Sequence, residues 1–225
     1  MSELLHFAEH TLQEAALLFM ALVYITRLYW LTRRKPGRER QAPTGSGSAN
    51  PKGAIAYSFA NIAIPWGMES SRDKWFLYIQ FVLFHLGVVT AIGLSFIIPY
   101  APQLLTSPSA LVILQILIGA AFLVGVGRII RRIVSPYLRA ISSPDDYFSL
   151  ILLTVWFAFA FFAVPNDSSQ GEGILLTFFF LTAFFLIYVP FSKISHYLYY
   201  PFARYYLGKT LGRRGVYPIK RVSSN

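Results

Sequence analysis

Five separate stretches of about twenty predominantly apolar residues decide what this chain can fold into. They run roughly over 11–31, 76–98, 110–130, 147–164 and 174–198, the last of them passing through Pro190. A helix needs about 20 residues to cross the hydrocarbon layer of a bilayer. Lipid offers no hydrogen bonds to an open backbone, and runs this long are not barrel strands, so helices are the predicted state. Composition agrees: charged residues make up 13% of the chain, against about 25% in soluble domains, and the mean hydropathy is +0.51. The predicted fold class is all-α, an integral membrane bundle of five transmembrane helices forming one domain over 1–225. The first stretch reads as a retained helix rather than a cleaved signal. Its N-terminal flank carries Glu3 and Glu9 and no Lys or Arg, the reverse of a basic signal region.

The charges are one-sided. Lys and Arg fall between Arg27 and Lys74, between Arg128 and Arg139, and from Lys193 onward. The segment 99–109 is uncharged, and the segment around Asp167 and Glu172 holds only acids. The positive-inside rule then places the N-terminus outside and the C-terminus in the cytoplasm, in a multi-pass protein of the cytoplasmic membrane. The net charge of +10 is thereby a topology signal, with attraction to anionic membrane lipids or to an acidic docked partner. No nucleic-acid motif accompanies it, and no nucleic-acid partner is expected. The Arg-, Pro-, Gly- and Ser-rich stretch 33–52 reads as a flexible cytoplasmic linker, and Trp66–Trp75 as a segment lying along the interface.

The chain has no cysteine, which excludes disulfides, thiolate zinc and a cluster bound by this chain alone. No Gly-rich nucleotide loop is present, and no carboxylate pair lies within a stretch. Of the four histidines, His85 sits well inside the second stretch, in the run FVLFHLGVV. An ionisable residue at such depth is costly and commonly functional. One reading is a neutral imidazole bonded to a neighbouring helix; the other is an axial haem ligand. His85 lies ten residues after Trp75, about 15 Å along a helix. His196, near the end of the oppositely directed fifth stretch, falls in the same cytoplasmic half. His6 and His10 share a helical face at i and i+4, a weak motif that suits an interfacial pair better than a metal. Asp145 and Asp146 read as acids complementing a helix N-terminus.

Three runs resemble the gamma (cytochrome b) subunit of respiratory nitrate reductase and its relatives in heterodisulfide reductases and sulfite-reduction complexes. They are Phe84-His85-Leu86-Gly87, Arg131-Arg132-Ile133-Val134-Ser135-Pro136 with Arg139-Ala140, and Pro190-Phe191-Ser192-Lys193-Ile194-Ser195-His196. The resemblance implies a membrane-anchor cytochrome b passing electrons between the quinone pool and a cytoplasmic iron–sulfur subunit, in a hetero-oligomer. It implies haem b with His85 and His196 as axial ligands to the iron. Arg132 and Lys193 are candidates for the haem propionates, since such cations pair with carboxylates. The family's second, outer haem takes histidines at positions that here read Ser95 and Phe178, so one haem is expected. The family's basic residue near the start of the third span is also missing around Thr106-Ser107-Pro108. A haem-free anchor or assembly subunit is the alternative. The tail residues Arg204, Lys209, Arg213 and Arg214 are the expected dock for the iron–sulfur partner.

Overall fold

A computed structural model describes residues 2–218 apart from 36, 38–41, 43, 46–49, 62–63, 65–72 and 170. Most of the expected interfacial segment 66–75 and much of the linker 33–52 lie outside the described residues. Helices account for the secondary structure, with no strand among the described residues. We label them α1 (Glu3–Arg33), α2 (Pro51–Ala60), α3 (Trp75–Tyr100), α4 (Pro108–Val134), α5 (Pro136–Ile141), α6 (Pro144–Ala163), α7 (Gly173–Tyr188) and α8 (His196–Arg213). Five of them, α1, α3, α4, α6 and α7 with its following turn, are long and apolar enough to cross a membrane.

Four helices open on the same device. Asn50-Pro51, Ser107-Pro108, Ser135-Pro136 and Ser143-Pro144 each place a capping residue before a proline in the first turn. Proline fits there because its missing N–H is one the helix could not use, and its φ is already helical. The Asn50 side chain accepts the Gly53 N–H at 2.9 Å. At α6, Asp146 accepts the Ser143 backbone N–H at 2.7 Å, so the two acids read at this N-terminus lie in its first turn.

The fifth stretch departs from its expected length. The α-helix stops at Tyr188, one 3-10 turn follows over Val189–Phe191, and Ser192 is extended at φ −103° and ψ 170°. The span therefore ends at Phe191 rather than near 198. Pro190 removes a backbone donor and ends the regular ladder, and His196 opens a separate helix.

Contacts divide the chain into two compact units. The first comprises residues 1–27 and 79–194. Within it, α1 touches α3 and α7, α4 packs on α6, and α6 packs on α7. Its centre is aromatic: Phe157, Phe178 and Phe179 are fully buried, and Trp156 stacks on Phe178 with centroids 6.1 Å apart. The Trp156 indole N–H donates to Thr182 Oγ1 at 2.9 Å. Small residues bring helices close. A Cβ on Gly87 would lie 2.1 Å from that of Ala121, and one on Gly125 would lie 2.5 Å from Thr154 Oγ1, whereas Gly93 and Gly127 face open space.

The second unit comprises 28–78 and 195–225. Here α2 packs on α8, and Gly208 and Gly212 permit it: a Cβ at Gly208 would meet the Ile55 backbone at 2.5 Å. This unit holds fourteen Lys and Arg against three Asp and Glu, a net +11, while the first holds six against seven, a net −1.

Candidate functional site

Helix α3 carries His85 at mid-length, half-buried, with its ring 4.2 Å from that of Phe81. His85 Nδ1 lies 2.7 Å from the Phe81 carbonyl oxygen, one helical turn back. A carbonyl can only accept, so Nδ1 carries the proton, and in the neutral ring Nε2 holds the lone pair. Anchoring of one ring nitrogen on a backbone carbonyl is how metal-ligating histidines fix tautomer and orientation. The donor chemistry of His85 thus fits an axial haem ligand. Phe84, the preceding residue, is buried beneath the Arg128 guanidinium, 5.0 Å from its ring centroid.

The loop after α7 is held from two sides of the first unit. Arg27 donates to the Pro190 carbonyl oxygen and lies 5.3 Å from the Phe191 ring centroid. From α6, Asp145 accepts the Lys193 backbone N–H at 3.1 Å and the Tyr188 hydroxyl. The Lys193 ammonium lies 2.7 Å from Asp146 and 2.8 Å from Ser143 Oγ. Arg132 donates to Ser142 Oγ at 2.5 Å and stands 4.0 Å from the same Asp146 carboxylate. Arg132 and Lys193 are therefore brought together, on a protein carboxylate.

His196 belongs to the second unit, exposed at the first turn of α8 behind Ser195. Further along that helix, Arg204 lies over the Tyr200 ring at 5.0 Å and Lys209 over Tyr205 at 5.5 Å. His85 and His196 thus fall in different units.

At the positions where the resembling family has its outer haem ligands, Ser95 and Phe178 are packed in the core of the first unit, Phe178 with no exposed surface. The His6 and His10 rings lie 4.7 Å apart, and no group of three or more metal-ligating residues occurs among the described residues. Glu14 accepts the Tyr100 hydroxyl at 2.7 Å.

Two residues escaped the sequence reading. Pro99 lies within α3, so the Ser95 carbonyl four residues back loses its helical donor. The Gln13 side-chain amide of α1 supplies it, at 3.0 Å. Glu9, one turn before Gln13, is 4% exposed and faces a half-open cleft of about 280 Å³. A polar residue inside an apolar run was the signal for Gln13, and Pro99 was the signal that a donor had to come from elsewhere.

Comparison with protein-family models, with curated proteins and with solved structures finds no match to this chain.

Proposed function

We propose that this protein is the membrane-anchor cytochrome b subunit of a redox complex. Its five apolar helices cross the cytoplasmic membrane with the N-terminus outside and the C-terminus in the cytoplasm. It passes electrons between the quinone pool and a cytoplasmic iron–sulfur subunit. One haem b would serve the transfer, and His85 and His196 are the residues that would hold its iron. The observation that carries the reading is the Nδ1–H bond of His85 to the Phe81 carbonyl, which leaves Nε2 with the lone pair that iron requires. The ligand pair itself rests on the two matched positions of the sequence resemblance. Packing of Phe178 and Ser95 into the core supports a count of one rather than two.

The bound haem supplies one-electron chemistry; the chain holds it and sets its surroundings. With no cysteine in the chain, a cluster has to come from a partner, for which the +11 unit offers a basic surface. Arg132 and Lys193 already share the Asp146 carboxylate, so a propionate would join or displace that carboxylate. This engagement favours the second reading, a haem-free anchor or assembly subunit.

A reduced-minus-oxidised spectrum with a pyridine haemochrome assay decides between them. One haem b per chain, lost in His85→Ala and in His196→Ala, is the expected result. No haem in the complex isolated from native membranes leaves the anchor reading, and two haems overturn the count.

A further inference from the structure

Away from the two histidines, the first turns of α1 form a second polar site. Residues Phe7–Leu12 are π-helical, a rare conformation that occurs mostly as short bulges and often at functional sites. This turn presents Glu9 and His10 to the cleft, whose apolar wall includes Leu5, Ile98, Pro99 and Leu175. Glu9 is 4% exposed, and no described residue donates a hydrogen bond to its carboxyl group. Four residues on, about 6 Å further along the helix, Gln13 is 1% exposed and its Oε1 has no hydrogen-bond partner among the described residues. A buried polar atom without a partner is costly, and native structures leave few of them. Glu9 itself lines the cleft, which is large enough for a small group, and Gln13 lies one turn further along the same helix, outside the cleft lining.

The surrounding charge narrows the chemistry. Glu3, Glu14, Asp167 and Glu172 lie in the same terminal segments, and no Lys or Arg occurs before Arg27 or within 99–109 and 165–173. A neutral hydroxyl offers one donor and no charge, and a quaternary ammonium offers charge and no donor. We propose that the cleft beside Glu9 binds a primary ammonium group carried on an apolar stem, donating to the Glu9 carboxylate. The apolar wall takes the stem. An aminophospholipid headgroup and a soluble alkylamine share this chemistry. The proposal does not depend on haem binding.

The test uses the full chain in nanodiscs of phosphatidylethanolamine, its mono- and dimethyl derivatives, or phosphatidylcholine, with bound lipid counted by native mass spectrometry. Successive methylation removes donors while keeping the charge. Retention is expected to fall stepwise, and the preference for phosphatidylethanolamine over phosphatidylcholine should drop roughly tenfold in Glu9→Gln, the loss of a hydrogen bond to a charged group. Butylamine added to phosphatidylcholine discs forms the second arm: a rise in Tm seen only with butylamine identifies a soluble amine as the source. The chain's own α-amino group carries the same chemistry, so both arms are repeated on N-acetylated protein. Equal retention across the lipid series with no butylamine effect, in both forms, overturns the proposal. So does a preference that survives intact in Glu9→Gln.

Discussion

Pro99 leaves the Ser95 carbonyl without its helical donor, and Gln13 answers from 82 residues away. Removing that answer exposes the debt. Gln13→Leu should lower stability by about 1–3 kcal/mol, the penalty for a buried acceptor left bare. Pro99→Ala restores a backbone N–H to the same carbonyl, so the double variant should recover most of the loss; thermal unfolding of the four proteins in one detergent measures the coupling. A second residue-scale prediction concerns acid. Hydrogen bonds from the Ser2 side chain and backbone hold the Glu172 carboxyl below its ordinary range. A depressed carboxylate stabilises the fold above its unfolded value, about 4.3, and that contribution fades as pH falls through the lower folded value. Ser2 also caps the first turn by accepting the Leu5 N–H at 3.1 Å. The hydrogen-exchange protection factor at Leu5, corrected for the intrinsic pH dependence of exchange, should fall on acidification in the native chain and be low at all pH values in Glu172→Gln. Equal pH dependence in both would remove the Ser2–Glu172 link from the account. The sequence displayed Gln13 and Pro99 separately; only the packing of α1 on α3 reveals that one serves the other.

At the scale of elements, hydropathy located all five long helices, because runs of this length dominate any local preference. It misjudged the fifth, where apolar character continues past Phe191 while the backbone does not. Proline and the extended Ser192 set that boundary, a matter of hydrogen bonding that hydropathy does not register. Likewise Arg132 and Lys193 were legible as cations, but their convergence on Asp146 depends on α4, α6 and the loop after α7 meeting. That meeting predicts that Asp146→Ala costs about 1–2 kcal/mol through its N-terminal hydrogen bond and ion pair, measured by unfolding, with a smaller loss in Lys193→Gln. Helix contacts give a sharper contrast. Gly87→Leu must separate α3 from α4 at Ala121 and should cost about 1–3 kcal/mol by overpacking. Gly93→Leu, facing open space, should leave the unfolding temperature nearly unchanged. Similar losses in both would show that α3 and α4 do not meet at Gly87.

For the whole molecule, the proposed orientation predicts an external reporter signal at Asp167 and a cytoplasmic one at the C-terminus; the reverse pattern would overturn it. Of the candidate site, the sequence made His85 and His196 visible by position and resemblance. It could not show the bond that fixes the His85 tautomer, since that depends on the ring's rotamer against Phe81. The separation of charge between the two units, −1 against +11, carries an electrical consequence. A membrane potential that is negative inside acts on each elementary charge with about 2.3 kcal/mol per 100 mV. If the proposed orientation holds, carrying these eleven net charges to the outer face would meet an opposing work of about 25 kcal/mol at 100 mV. In the proposed orientation, a potential that is negative inside favours keeping the basic residues on the cytoplasmic side.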